Sequence, residues 1–230
     1  MQHFDHMTQT LYHLSEPVTL LGAAPIDDRA LDLATQVAPE VIAADGGANL
    51  AAERGLALKA IIGDLDSMVN AKNWQKSGTT VHHLTDQVST DLEKCLYSVD
   101  APLYLGVGFL SGLLDHTLAA MHALVAYPHR NLVLIGPHEI CFLAPLELEL
   151  DLPAGMRLSL FPLAEVSGTR SDGLVWPIDG LTLSPLTRIG TSNAVSERPV
   201  RIGIDRRALV VILPRAALGS VLAALGPARA

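Results

Sequence analysis

The period of hydrophobic and polar positions changes once along this chain. Through residue 135, short apolar runs alternate with segments of helical period. The runs at 18–21, 41–44, 60–62, 80–83, 103–105 and 132–135 predict strands, and 28–37, 48–54, 89–99 and 116–127 predict helices. Punctuation supports the reading. Gly22 and Asp45-Gly46-Gly47 stop two strands, Gly55 closes a helix, and Tyr127 ends another ahead of Pro128. Thr90-Asp91-Leu92-Glu93 has the form of a capping box, in which a threonine and a glutamate satisfy each other's backbone N–H groups at a helix start. Strands alternating with helices imply crossover connections and a largely parallel sheet.

Around residues 137–145 the helical period stops for about seventy residues. Short alternating segments replace it, at 146–150, 157–161, 174–176, 181–183, 200–204 and 209–213. Turn signals separate them: Pro153-Ala154-Gly155, Ser171-Asp172-Gly173, Asp179-Gly180 and Asp205-Arg206. This spacing predicts a small sandwich or barrel. Residues 216–225 read as an apolar terminal helix. The expected architecture is an α/β domain over 1–140 with a mainly parallel sheet, followed by an all-β, sandwich- or barrel-like domain over 141–230.

Composition narrows the function. Of 230 residues, 49% are hydrophobic and 17% charged, which provides a substantial core and excludes global disorder. A formal net charge of −8 argues against a general nucleic-acid binder but not against a nucleotide substrate. No apolar run is long enough for a membrane span, so a soluble cytoplasmic protein is expected. Cys95 and Cys141 lie far apart, without a CxxC spacing, and read as buried free thiols.

The candidate chemistry is acidic. Ile61-Ile62-Gly63-Asp64-Leu65-Asp66-Ser67 is an apolar strand ending in two aspartates, and Asp45, Asp91 and Asp115 also fall at strand ends or helix starts. Singly, each is explained by a turn, a cap or a favourable place at a helix start. Together they would converge, because strand-to-helix loops of a parallel sheet emerge on one edge. Clustered carboxylates repel unless a cation compensates them, and Mg²⁺ is commonly held by carboxylates together with substrate phosphates. Gly46 and Gly47 would let backbone N–H groups approach a phosphate. Neither a Walker A pattern nor GxGxxG is present, and no GxSxG supports a hydrolase nucleophile. The nine histidines lack metal-ligand spacing. By itself Trp176 reads as filler of the β core, and Thr191-Ser192-Asn193 as a polar turn or a hydrogen-bonding edge for a heteroaromatic ligand.

In their order these motifs resemble the thiamine pyrophosphokinase (thiamine diphosphokinase) family. The resemblance rests on Asp45-Gly46-Gly47-Ala48-Asn49, Gly63-Asp64-Leu65-Asp66-Ser67, Thr90-Asp91-Leu92-Glu93-Lys94, Ser111-Gly112-Leu113-Leu114-Asp115-His116, Gly173-Leu174-Val175-Trp176 and Thr191-Ser192-Asn193. It implies transfer of a pyrophosphoryl group from ATP to the hydroxyl of thiamine. It implies Mg²⁺ on Asp64, Asp66 and Asp91, with Asp45 and Asp115 completing an acidic catalytic set and Gln87 and Thr90 beside it. It implies Trp176 over the thiamine rings, and Ser192 and Asn193 at the pyrimidine edge or shaping the loop there. It also implies a homodimer whose thiamine site is shared between the α/β domain of one subunit and the β domain of the other. Two departures remove positive charge. Leu113 stands where the family has an arginine, with Arg188 or Lys94 as candidate substitutes, and Thr85 stands where the family commonly has a lysine. A pyrophosphokinase for a pterin-like alcohol and a catalytically weakened thiamine-binding protein are the competing readings.

Overall fold

The alternating part of the chain builds a parallel sheet. A computed structural model describes residues 10–69, 74 and 78–226. The chain divides into two compact units, residues 1–120 and 121–230.

In the first unit, β1 (Tyr12–His13), β2 (Val18–Leu21), α1 (Asp28–Val37), β3 (Glu40–Ala44), α2 (Gly47–Glu53), β4 (Ala60–Gly63) and β5 (Thr80–His83) are followed by α3 (Asp91–Ser98), β6 (Val99–Asp100), β7 (Tyr104–Val107) and the start of α4 (Leu114–Ala126). The main sheet runs β7-β2-β3-β4-β5, all parallel, and β1 pairs with β6. Strands β2, β4 and β7 are buried at every position, as expected for strands covered on both faces. Helix α1 packs Ala30, Leu31 and Ala34 inward and is capped by Asp27, whose carboxylate accepts from the Arg29 N–H. The expected capping box is formed at α3: Thr90 and Glu93 each accept from the other's backbone N–H. The chain steps outward through β2, β3, β4 and β5, then returns to place β7 on the other side of β2. The strand order therefore reverses at β2, and ligands of open α/β sheets bind beyond the carboxyl ends of the strands at such a point.

The second unit is antiparallel. It contains β8 (Leu132–Ile135), β9 (Glu139–Leu143), β10 (Glu147–Leu150), β11 (Arg157–Pro162), β12 (Val166–Asp172), β13 (Thr182–Leu183), β14 (Gly190–Ala194), β15 (Val200–Ile204), β16 (Leu209–Pro214) and, after a 3₁₀ turn, α5 (Leu218–Leu225). One sheet runs β14-β11-β16-β9-β8 and the other β10-β15-β12-β13. The expected fold class, an α/β part followed by an antiparallel β-sandwich, is the one observed. The division falls within α4, and β8 and β9 form a hairpin whose second strand pairs with β16.

Five strands were not predicted: β1, β6, β9, β12 and β14. Strand β9 is an apolar run between Pro137 and Pro145, and the prolines obscured it. Strand β12 carries polar residues and a register irregularity opposite β15. The segment 174–176 is not a strand. Only Leu174 makes a bridge, to Val195, between Gly173 at φ 74° and Pro177. Among the described residues no helix is long and apolar enough to cross a membrane. Cys95 and Cys141 are buried and free.

Candidate active site

In the first unit a cavity of about 320 Å³ opens at the carboxyl ends of β2, β3, β4 and β7. Asp45, Gly46, Asp64, Thr90 and Asp91 line it, together with Lys94, Phe109 and His116. The loops that carry them are tied together. The Ser67 N–H donates to Asp45 Oδ2 at 3.1 Å, Asn49 donates to the Ser67 carbonyl at 2.9 Å, and Asn49 Oδ1 accepts from the Val69 N–H at 2.9 Å. The Asp-Gly-Gly-Ala-Asn and Gly-Asp-Leu-Asp-Ser segments thus form one structural piece. Gly63 makes their closeness possible, since a Cβ there would lie 2.6 Å from the Cβ of Asp45. Gly47 has a different reason: its Cβ would strike the Leu21 carbonyl, so it serves the packing of α2 on β2. It does not line the cavity.

Asp45, Asp64 and Asp91 bring ligand oxygens within 4.8 Å of one another. At such a separation a pair of like charges repels by a few kcal/mol at an effective dielectric of about 20. One ammonium sits among them. Lys94 Nζ donates to Asp64 Oδ2 and to Asp91 Oδ1, both at 3.0 Å. The Lys94 bond holds the Asp64 carboxyl below the usual carboxylate range. Burial pushes Asp91 up, against its bond to Lys94. Burial also pushes Asp45 up, against the pull of the Ser67 N–H, with Asp91 and Asp64 adding to the rise. On Lys94 burial acts to lower the pKa, but the bonds to Asp64 and Asp91 outweigh it and the group is raised. A single positive charge does not neutralise three carboxylates.

The residues fit a divalent cation. Asp45 is 1% exposed, and its Oδ1 is buried with no hydrogen-bond partner among the described residues. A buried carboxylate oxygen left unpaired is costly unless something positive meets it. Backbone strain marks the same place. Among the described residues the non-glycine positions with positive φ are Asp45 at 39°, Leu65 at 66° and Ser192 at 59°. Two of them hold the carboxylate loops, and strain of this kind persists where the surrounding structure enforces it.

The other predicted acids lie outside the cluster. Asp66 is exposed and accepts from Ser67 Oγ at 2.8 Å. Asp115 is exposed in the first turn of α4 and accepts from the His116 N–H, while His116 lines the cavity. Gln87 lies near Asp64, with Nε2 3.4 Å from Oδ2.

In the second unit a groove of about 320 Å³ is lined by Trp176, Leu183, Arg188, Thr191, Ser192 and Asn193. Trp176 is 59% exposed, so it is a wall of this groove and not filler of the β core. Asn193 fixes it from behind: Oδ1 accepts from the Trp176 N–H at 3.1 Å, and Nδ2 donates to the Trp176 carbonyl at 2.7 Å. The triplet 191–193 is part of β14, not a loop. Its register slips opposite β11 between Leu158 and Leu160, and the Ser192 N–H donates to Ser159 Oγ at 3.0 Å.

Two family models match the chain. The one described as "Thiamin pyrophosphokinase, catalytic domain" matches residues 31–135, and the one described as "Thiamin pyrophosphokinase, vitamin B1 binding domain" matches 146–209. Together they take up well over half of the chain. The chain belongs to the thiamin pyrophosphokinase family.

Thiamine pyrophosphokinase 1 of Oryza sativa subsp. japonica is 30% identical over 164 residues, which is 63% of this chain and 62% of the rice protein. The match therefore spans less than two thirds of that relative. Thiamin pyrophosphokinase from Candida albicans shares the fold with a TM-score of 0.73 at 15% identity, covering 92% of this chain and 95% of that one. The yeast thiamin pyrophosphokinase gives 0.73 at 17% identity, covering 93% and 94%. Against the thiamin pyrophosphokinase pattern, the arginine position is the exposed Leu113. Of the two candidate substitutes, Lys94 is in the carboxylate cavity and Arg188 is in the groove.

Sequence reasoning missed His116 and Ser67 as cavity residues. Either could have been found only by knowing how α4 is phased and how the Asp64 loop closes on Asp45. Lys94 carried a readable signal, because a position three residues past Asp91 shares its helix face.

Proposed function

We propose that this chain transfers a pyrophosphoryl group from ATP to the hydroxyl of thiamine, giving thiamine diphosphate and AMP. The observation that carries the reading is the trio Asp45, Asp64 and Asp91, with an unpartnered buried oxygen, at the switch point of a parallel sheet. In the transfer the thiamine hydroxyl gives its proton to a cavity carboxylate or to water, its oxygen bonds to the β-phosphorus of ATP, the bond from that phosphorus to the oxygen shared with the α-phosphorus breaks, and AMP leaves with that oxygen. Such transfers ask for positioning and charge stabilisation more than covalent help.

Asp45, Asp64 and Asp91 would hold Mg²⁺, with Asp45 in the place that the motif resemblance assigned to Asp66. Mg²⁺ when bound supplies positive charge at phosphate oxygens. The residues of the chain do the rest. Gly46 leaves room beside the cavity, Thr90 caps the helix that aims Asp91, and Lys94 adds a positive charge where the family arginine is missing. In the groove the face of Trp176 suits the thiazolium cation of thiamine, since cations favour aromatic faces. Asn193 holds Trp176 in place rather than meeting the ligand.

We assign the α/β part to ATP and cation binding and the β part to thiamine binding and dimerisation. The protein acts as a cytoplasmic homodimer in which the groove of one copy serves the cavity of its partner. The motif resemblance supports the shared site, and the two free cysteines suit a reducing compartment.

Purified protein given ATP, Mg²⁺ and thiamine is expected to release AMP and thiamine diphosphate in equal amounts, read by chromatography. Thiamine binding without turnover, or turnover only with a pterin alcohol, overturns the assignment.

A further inference from the structure

The cation already present among the carboxylates belongs to the protein. Lys94 is 2% exposed, and lysines are almost never so deeply buried unless paired. Its ammonium is bound to Asp64 and Asp91, two of the three residues proposed above to hold a divalent cation, so any role for it at this site rests on that reading. Asp45 takes no share of this ammonium. Its Oδ2 is met by the Ser67 N–H and its Oδ1 by nothing described. The lysine therefore compensates part of the cluster and leaves the remainder open.

We propose that Lys94 is a resident counter-ion that keeps the carboxylates gathered before the divalent cation arrives and competes with that cation for Asp64 and Asp91. Without it the three acids would separate or take up protons. With it the site is preformed, and binding of the free cation is weaker because two of its ligands are already engaged. A lysine suits this task better than an arginine. Its ammonium is a point charge on a flexible stem and can shift as a second cation enters, whereas a guanidinium would clamp a carboxylate with two bonds. A cation held by the same carboxylates would bring its charge close to Nζ, so the ammonium would loosen its hold on Asp64 and Asp91.

The test uses Mn²⁺ without nucleotide, with free Mn²⁺ measured by electron paramagnetic resonance on the wild type, Lys94→Met and Asp91→Asn. Methionine keeps the unbranched stem and removes the charge. Lys94→Met is expected to bind Mn²⁺ about tenfold more tightly than wild type, and Asp91→Asn about tenfold less. In chelator, Lys94→Met is expected to melt below wild type, with Mn²⁺ closing the gap. Equal or weaker Mn²⁺ binding by Lys94→Met, with Asp91→Asn still impaired, overturns the counter-ion and leaves the cation site standing. No Mn²⁺ binding by the wild type overturns both. Should Lys94→Met not fold, acetylation of the wild type decides the question by peptide mass spectrometry. Lys94 is expected to react about tenfold more slowly than Lys59 in chelator and faster once Mn²⁺ is added. Equal rates, or no response to Mn²⁺, overturn the proposal.

Discussion

The cavity of the first unit and the groove of the second are of similar volume and opposite character. The cavity is built from charge. One buried and two half-buried carboxylates, from two strand ends and the start of α3, gather around the buried ammonium of Lys94, and a glycine with no room for a side chain and backbone N–H groups hold the strand-end loops together. The groove is built from an exposed aromatic face fixed from behind by an amide. The difference shows what each task demands. Stabilising charge on a phosphate requires groups that cannot relax, because preorganised dipoles and charges are worth most in a site closed to water. Holding a flat cation requires an open face whose backbone is immobile, and the large rigid ring supplies contact at little entropic loss. The two regions should therefore fail differently when cut.

The largest failure belongs to the cavity. Asp91→Asn keeps the size of the side chain and removes one cation ligand and one partner of Lys94. Turnover is expected to fall about a thousandfold in kcat, as when a central charge-stabilising group is lost. Circular dichroism is expected to be unchanged. Trp176→Ala should show the opposite signature. The ring is more than half exposed, so the fold survives, and the loss of about 1–2 kcal/mol of cation–π contact should appear as a roughly 5- to 30-fold rise in KM for thiamine. A Trp176→Ala enzyme that lost kcat with KM unchanged would erase the proposed division of labour.

Much of this contrast was legible in the sequence, for physical reasons that differ between the units. Strands β2, β3 and β4 are short buried apolar runs, each stopped by glycine or aspartate, so both their place and their loop acids could be read. The capping box at Thr90 was equally plain because it is a local pattern. The membership of the acidic cluster was not local. Asp66 and Asp45 differ in what the Asp64 loop does after Leu65, where the backbone takes positive φ and leaves Asp66 exposed. Asp115 and His116 are neighbours in sequence, and only the phase of α4 decides which of them lines the cavity. In the β part, β14 was hidden because Thr191, Ser192 and Asn193 are polar. Their strand is set by pairing with β11, and no periodicity within the triplet announces it.

A milder cut tests the groove from behind. Asn193→Ala removes the hydrogen bonds to the Trp176 backbone and leaves a half-buried N–H and carbonyl unpaired. A fully buried group left so costs about 1–3 kcal/mol, and a half-buried one less. Thermal unfolding is expected at a lower temperature, and KM for thiamine should rise about as far as in Trp176→Ala or less, with kcat within about threefold of wild type. A fall in kcat of the size expected for Asp91→Asn would mean that Asn193 meets the reacting groups directly.

The smallest effect is expected where the motif resemblance and the structure part most clearly. Asp115 belongs to a motif that the resemblance marks as catalytic, yet its residue is exposed, its carboxylate accepts from the neighbouring His116 N–H, and among the described residues it does not line the cavity. An exposed acid in the first turn of a helix contributes a few tenths of a kcal/mol through the helix dipole. Asp115→Asn should therefore keep kcat and both KM values within about twofold of wild type. Steady-state kinetics beside Asp91→Asn would decide the matter. If Asp115→Asn lost activity as fully as Asp91→Asn, the start of α4 would have to turn during turnover, carrying Asp115 into the cavity that His116 lines in this structure.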